Sequence, residues 1–171
     1  MSRLIFVCKG NIHRSVIAEH MTCKLLLEKG RTDISVTSRG LQWYINGPPS
    51  GTNLTDYPQA WEGSRRALEE RELNLTTHVA RPLSLKDMME ATRVIVMDRE
   101  LLDASRMSVL NLFPEYAEKV VLFSRLTGKD EDVDDRGEYA TEIDYRSTVE
   151  HIERVLLEGL DRLLFEVGLS V

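Results

Sequence analysis

Four short segments of the chain have the hydrophobic pattern of β-strands. Residues 4–7, 93–97 and 119–123 are nearly continuous apolar runs, and residues 33–38 alternate between apolar and polar side chains. Continuous apolar runs of this length are typical of parallel strands that are buried on both faces. The pattern therefore predicts a sheet made of these four segments.

Most of the chain between the predicted strands is expected to be helical. A first helix is expected from an N-cap at Ser15 to Glu28, with Gly30 as its stop signal. Residues 58–73, 84–91 and 98–112 are expected to be helical, and the polar segments 39–57 and 125–142 are expected to be loops. The clearest helix is the last, because apolar side chains recur at helical spacing at Val149, Ile152, Val155, Leu156, Leu160, Leu163, Leu164 and Val167.

Alternation of strands and helices predicts the fold class. It indicates an α/β fold with a doubly wound, four-stranded parallel sheet flanked by helices, in one domain over residues 1–171. Ligands of such sheets bind beyond the carboxyl ends of the strands. Cys8 follows the first predicted strand at that edge.

Composition narrows the possible partners and compartments. The net charge of −6 makes nucleic acid an unexpected main partner, since phosphate backbones need a basic surface. With only two cysteines, Cys8 and Cys23, a disulfide scaffold or a cysteine-rich metal site is not expected. No apolar run approaches the roughly 20 residues of a membrane span, and the N-terminal run is too short for a signal peptide. We therefore expect a cytoplasmic protein without membrane insertion.

The segment from Cys8 to Ser15, CKGNIHRS, carries the chemistry. Its backbone amides can point inward as an anion nest, and the following helix adds its positive dipole end. Gly10 and Asn11 tolerate the left-handed backbone that a tight nest requires. In that setting Cys8 would be a thiolate nucleophile, and Arg14 offers a planar fork for two phosphoryl oxygens.

A buried core thiol is the plain alternative for Cys8, because most isolated cysteines are just that. The surrounding pattern favours the phosphate-binding interpretation: a strand precedes Cys8, Arg14 and Ser15 follow the turn, and a helix comes next. Ser15 could also donate a hydrogen bond to the Cys8 sulfur and assist its departure as a leaving group.

These residues resemble a known family. The segment VCKGNIHRS at 7–15 is similar to the VCxGNICRSP signature of the low-molecular-weight protein tyrosine phosphatases. Further similarity follows in the right order along almost the whole chain, at 17–19 (IAE), 36–40 (VTSRG), 78–81 (HVAR) and 96–99 (VMDR). The resemblance implies a flavodoxin-like topology and hydrolysis of phosphotyrosine through a cysteinyl-phosphate intermediate.

The resemblance also implies where the general acid lies. Other cysteine-based tyrosine phosphatases carry an acidic residue before the phosphate loop, but none of the seven residues before Cys8 is acidic. The family supplies an Asp from a D-I-P-D-P-x-G loop before the last helix, which is similar to 132–137 (DVDDRG) and indicates Asp135. Asp134 is the alternative general acid, since Arg136 replaces a proline of the family pattern. A further alternative is that this segment is only a solvated acidic loop without a catalytic role.

Other site residues are implied in the same way. Lys9, Gly10, Asn11, Ile12, His13 and Ser15 would form the phosphate loop, with His78 supporting Asn11. Trp43 and Tyr44 would form the substrate rim, or else anchor a loop on the core. His13 stands where the family often has a second cysteine that forms a protective disulfide.

Family resemblance implies no cofactor and no metal, a phosphotyrosine protein or peptide as substrate, and inorganic phosphate as product.

Three alternative functions are compared with this one. Arsenate reduction on this fold needs cysteines beyond Cys23, and the chain has none. A protein arginine phosphatase usually has Thr where this chain has Ile12. A catalytically inactive phosphate-binding module would not need to keep Cys8, Arg14 and an Asp pair.

Overall fold

Four parallel strands form one sheet in the computed structural model of the chain, which describes residues 2–41, 51–136 and 139–168. The strand order is β2-β1-β3-β4, so the predicted four-stranded parallel sheet is confirmed. The strands are β1 (Ser2–Cys8), β2 (Ile34–Gly40), β3 (Arg93–Val96) and β4 (Val120–Leu122).

Helices connect the strands and cover both faces of the sheet. The α-helices are α1 (Arg14–Glu28), α2 (Pro58–Glu69), α3 (Leu85–Glu90), α4 (Val109–Leu112) and α5 (Glu142–Glu166). Short 3₁₀ segments occur at Leu54–Asp56, Pro114–Lys119 and Phe123–Thr127, and a π-helical turn at Glu100–Ala104. No helix of the described ranges has both the length and the apolar character needed to cross a bilayer.

The side chains of β1 alternate between two apolar layers. Leu4, Phe6 and Cys8 face the layer that is completed by α1, α2 and α5. Ile5 and Val7 face the opposite layer, which includes side chains of α3 and α4. Because all five side chains are buried, β1 is the centre of the core and its carboxyl end is held rigidly.

Three predicted helix boundaries are wrong. The helix expected over 58–73 ends at Glu69, because Glu72 has a φ of +57°, outside the helical region. The first helix begins at Arg14 rather than after an N-cap at Ser15, because the Ser15 hydroxyl contacts the sulfur of Cys8 instead of capping. The helix predicted over 98–112 is interrupted after Ala104, where Ser105 has an extended backbone. The Ser105 hydroxyl accepts the amide of Met107 and its carbonyl accepts the amide of Ser108, which makes a turn instead of a continued helix.

Strand register brings residues of three strands to one edge. Cys8 lies beside Gly40 of β2, and Val7 lies beside Val96 of β3. The residues that end or follow these strands, among them Ser38 and Asp98, therefore meet around Cys8. This edge is the carboxyl end of the sheet, where parallel α/β folds bind their ligands.

Candidate active site

The sulfur of Cys8 lies at the N-terminal end of α1. It accepts a hydrogen bond from the backbone amide of Asn11 at 3.2 Å and is 3.0 Å from the Ser15 hydroxyl. Cys8 is 3% exposed, so few other groups compete for these contacts. Amide, hydroxyl and helix dipole all favour negative charge on the sulfur.

Asn11 shapes the loop between β1 and α1. Its φ of +52° places it in the left-handed region, which Gly10 does not enter. The side-chain NH₂ group of Asn11 donates to Ser38 at 2.8 Å and to Ser15 at 3.2 Å. The side-chain oxygen of Asn11 accepts a hydrogen bond from the Arg81 backbone amide at 2.9 Å. The conformation is therefore fixed by contacts to β1's neighbours rather than by glycine flexibility.

The hydrogen bonds around Asn11 have a direction. Because Ser15 accepts the Asn11 amide, its own O–H is available to donate to the sulfur of Cys8. Ser38 likewise accepts from Asn11 and donates to Glu19 at 2.5 Å. The network thus presents a donor to the sulfur.

His78 closes the network from outside. Its Nε2 lies 3.1 Å from the backbone carbonyl oxygen of Asn11 and 3.2 Å from the side-chain oxygen of Asn11. Both partners are acceptors, so Nε2 carries the hydrogen. Burial lowers the pKa of His78, against the opposing effect of Glu19, and keeps the ring neutral near pH 7.

The guanidinium of Arg14 is buried and held by groups from distant parts of the chain. Its Nη1 donates to Asp98 at 2.5 Å and to the Val133 carbonyl at 2.8 Å, and its Nη2 lies 3.2 Å from Asp135. Burial opposes the charge, but Cys8, Asp135 and Asp98 more than offset it and raise the pKa of Arg14. Arg14 is consequently a fixed cation beside the sulfur.

Asp98 has a larger part in this site than its position in the sequence indicated. One carboxylate oxygen accepts the Leu101 amide at 2.8 Å, and the other accepts a hydrogen bond from Arg14. The signal that could have identified the second contact is topological. β3 is the direct neighbour of β1, so a residue that follows β3 lies next to a residue that follows β1.

The segment before α5 brings Asp135 to the site and directs Asp134 away from it. Asp135 reaches Arg14, whereas Asp134 lies 3.7 Å from Arg136 and its side chain is 69% exposed. The segment is tied to β3 because the Val133 amide donates to the Met97 carbonyl at 2.9 Å. Of the two aspartates, only Asp135 lines the cavity over Cys8.

His13 is packed as a neutral ring between the loop that follows Cys8 and two helices. Its Nε2 is 2.7 Å from the Ser64 hydroxyl on α2, and its ring meets the edge of Tyr145 on α5 at 5.4 Å between centroids. Burial first, and then the charges of Arg14 and Arg136, lower the pKa of His13 to about 3. His13 therefore links the loop to two helices without adding charge.

The cavity above the sulfur has a volume of about 190 Å³. Its lining residues are Cys8, Lys9, Gly10, Ile12, His13, Arg14, Tyr57, Ala60, Asp135, Arg136 and Tyr145. Asn11, Ser15 and His78 support the loop from behind. Trp43 and Tyr44, predicted for the rim, lie outside the described residues.

Four cavity residues were not assigned to the site from the sequence, and one of them, Arg136, was noted only because it replaces a proline. Tyr57 belongs to a segment predicted to be only a loop, Ala60 lies on α2, and Tyr145 lies on α5. Neither spacing nor resemblance points to them, since they reach Cys8 only through the packing of α2 against α5. Among the residues that the structure describes, no His, Cys, Asp and Glu side chains are grouped as a metal site.

The chain is similar in sequence to a known family. The model of the family described as low molecular weight phosphotyrosine protein phosphatase matches residues 3–166. The low molecular weight protein-tyrosine-phosphatase PtpA of Staphylococcus saprophyticus is 32% identical over 104 residues, which cover 60% of this chain and 59% of that protein. The match thus spans less than two thirds of that relative's length.

Solved structures cover more of the chain. A low molecular weight protein tyrosine phosphatase from Bacillus subtilis is 27% identical with a TM-score of 0.72, over 96% of this chain and 97% of that one. The YwlE arginine phosphatase with a phosphorylated active-site serine is 25% identical with a TM-score of 0.75, over 96% of each chain. With a family match over nearly its whole length and the family's fold, this chain belongs to the low molecular weight phosphotyrosine protein phosphatases.

Proposed function

We propose that the protein is a cysteine-dependent phosphatase that hydrolyses phosphotyrosine in cytoplasmic proteins. The observation that carries the proposal is the position of the Cys8 sulfur. It accepts the Asn11 amide, contacts the Ser15 hydroxyl and shares its cavity with the anchored guanidinium of Arg14. This arrangement suits a thiolate that attacks a phosphoryl group.

In the first step, Cys8 attacks phosphorus in line with the phenolic oxygen. A sulfur–phosphorus bond forms while the phosphorus–oxygen bond breaks, which splits one difficult reaction into two easier ones. Arg14 and the amides of 9–13 stabilise the charge on the equatorial oxygens. Lys9, Gly10, Ile12 and His13 complete the walls of this cradle.

Asp135 is proposed as the general acid. Its carboxyl group protonates the phenolate oxygen as that oxygen leaves, and its carboxylate then takes a proton from the water that attacks phosphorus. Water releases inorganic phosphate and returns the Cys8 sulfur as the leaving group, which Ser15 stabilises by its 3.0 Å contact. Asp135 contacts Nη2 of Arg14 at 3.2 Å. When phosphate binds, one of its oxygens takes the place of Asp135 at Arg14. The carboxyl group of Asp135 is then directed toward the leaving group.

The cavity walls favour an aromatic phosphate ester. Ile12, Tyr57, Ala60 and Tyr145 supply apolar surface around Cys8, which suits a phenyl ring. Phosphoarginine is the second candidate substrate, because one similar solved structure is an arginine phosphatase. The bulky Ile12 favours the tyrosine assignment, since a guanidinium needs hydrogen-bonding groups that an aliphatic side chain does not offer.

The test compares turnover of a phosphotyrosine peptide with turnover of a phosphoarginine peptide of the same sequence. We expect hydrolysis of the first to dominate and to disappear in Cys8→Ser, while Arg14→Lys loses most activity although it keeps the charge. Ile12→Thr is expected to shift the ratio toward phosphoarginine. A wild-type ratio that favours phosphoarginine would reverse the assignment.

The same experiment separates an enzyme from a binding module. A catalytically inactive module would bind the phosphotyrosine peptide with no more turnover than the Cys8→Ser protein. If the wild-type protein is active, Cys8→Ser can then be used to capture phosphoproteins, which would identify the physiological substrate.

A further inference from the structure

We propose that Arg136 forms an anion subsite beside the phosphate cradle that selects phosphotyrosine peptides with a carboxylate side chain near the phosphotyrosine. The inference deepens the proposed function and rests on it. It concerns a residue at which the chain departs from its family, where Arg136 follows the proposed general acid in place of a proline.

Arg136 lies on the wall of the cavity that contains Cys8. It follows Asp135 directly and lines the same cavity, beside His13 and Tyr145. It therefore borders the side of the cavity from which the phenolic leaving group departs.

The Arg136 side chain is held in one orientation. Its Nε donates to the Thr148 hydroxyl at 2.8 Å, and Thr148 in turn donates to the Asp144 carbonyl oxygen within α5 at 3.2 Å. Thr148 is 2% exposed, so the anchor is buried, and Arg136 itself lines the cavity. A cation fixed in this way loses little side-chain entropy when it binds an anion.

The terminal nitrogens of Arg136 have only distant carboxylates among the residues that the structure describes. Asp134 is 3.7 Å and Asp144 is 4.0 Å from Nη1, both beyond hydrogen-bond distance. Arg14 differs, because Asp98, Val133 and Asp135 all contact it. Arg136 can therefore offer its N–H groups to an incoming oxyanion without breaking a short ion pair.

A carboxylate of the peptide is the anion that fits this position. The phosphoryl group is already provided for by Arg14 and the loop amides. Arg136 lines the same cavity and its side chain is 23% exposed, so a part of the peptide outside the phosphate cradle can reach it. A planar guanidinium matches a carboxylate with two parallel hydrogen bonds.

The experiment uses phosphotyrosine peptides that differ only in Glu or Gln at one position, from two residues before to two residues after the phosphotyrosine. For the wild-type protein we expect kcat/KM to favour Glu by about fivefold in at least one position, as for a partly exposed ion pair. Arg136→Gln should reduce the preference below about twofold, and any further change in activity that this variant shows on nitrophenyl phosphate should affect the Glu and Gln peptides equally.

Arg162→Gln is the matched control. It removes the same charge at the far end of α5, where Arg162 pairs with Glu166, and should keep the full preference. Arg136→Lys, which keeps the charge but not the planar fork, should keep part of it. High salt should weaken the wild-type preference and leave the Arg136→Gln ratio unchanged.

Two results would overturn the subsite: an unchanged Glu preference in Arg136→Gln, or an equal loss of activity on every substrate, which would make Arg136 a positioning residue for Asp135. If the wild-type protein turns over no aryl phosphate, the proposed function fails separately. Fluorescence anisotropy of the same peptides with the Cys8→Ser protein then still decides the subsite, because a Glu preference in binding supports it and equal binding refutes it.

Discussion

One carboxylate oxygen of Asp98 holds Nη1 of Arg14 at 2.5 Å, and the other accepts the amide of Leu101 at 2.8 Å. Asp98 therefore connects the turn after β3 to the buried guanidinium of Arg14. The contact spans the boundary between β1 and β3, so the position of Arg14 depends on the sheet as a whole.

Asp98→Asn should lower kcat/KM by about tenfold or more, because the asparagine can still cap Leu101 but holds Arg14 less firmly. We also expect a loss of about 1–3 kcal/mol in the free energy of unfolding, since a buried guanidinium loses a charged partner. Kinetics on nitrophenyl phosphate and urea unfolding measure the two effects. Asp103→Asn on the same segment is the control, and a kcat/KM of Asp98→Asn within twofold of wild type would contradict the prediction.

Asp135→Asn should depend on the leaving group, and Asp134→Asn should not. General acids typically contribute about 10²–10⁴-fold, and a leaving group that is already acidic needs less of that help. We expect Asp135→Asn to lose far more activity on phenyl phosphate than on nitrophenyl phosphate, with a flatter alkaline limb in its pH profile. If Asp134→Asn shows this pattern instead, the general acid is the neighbouring residue.

The buried His13 should make the protein less stable as the pH falls. Its folded pKa of about 3 lies below the ordinary value of 6.5, so between these values the unfolded chain binds a proton that the folded chain excludes. The contribution of neutral His13 to the free energy of unfolding is nearly complete above about pH 6.5. At pH 5 that contribution is smaller by roughly 2 kcal/mol. Urea unfolding at pH 7 and pH 5 should show a smaller difference for His13→Gln than for wild type or His151→Gln.

Peroxide should inactivate the protein without forming a disulfide between Cys8 and Cys23. Cys23 lies nine residues after Arg14 on α1, about 14 Å along the helix, whereas a disulfide needs Cα atoms within about 7 Å. Burial, and then Glu19, raise the pKa of the Cys23 thiol, which lowers its reactivity toward peroxide. Mass spectrometry should find sulfenic and higher acids at Cys8. A stoichiometric Cys8–Cys23 bond would show that the helix is not rigid.

The sequence was informative where the site is local. Cys8, Asn11 and Ser15 lie within one turn between a strand and a helix, and their types and spacing indicate an anion site before any long-range contact is known. The parallel sheet was equally accessible, because buried strands leave continuous apolar runs.

Long-range contacts were not accessible in the same way. Asp98 and Val133 reach Arg14 across separations of 84 and 119 residues, and nothing in their local pattern marks these contacts. The break after Ala104 was missed for a related reason. The Ser105 side chain accepts a hydrogen bond from the amide of Met107. The spacing of apolar residues gives no indication of this contact.

The contacts of Arg14 also set the order in which the site can form during synthesis. The ribosome makes Cys8 and Arg14 first and makes Val133 and Asp135 more than a hundred residues later. The nascent chain therefore carries Cys8, the proposed nucleophile, for most of its synthesis without the groups that hold and complement Arg14. Phosphatase activity should appear only after the segment before α5 has left the ribosome, so a stalled chain that ends before residue 130 should be inactive.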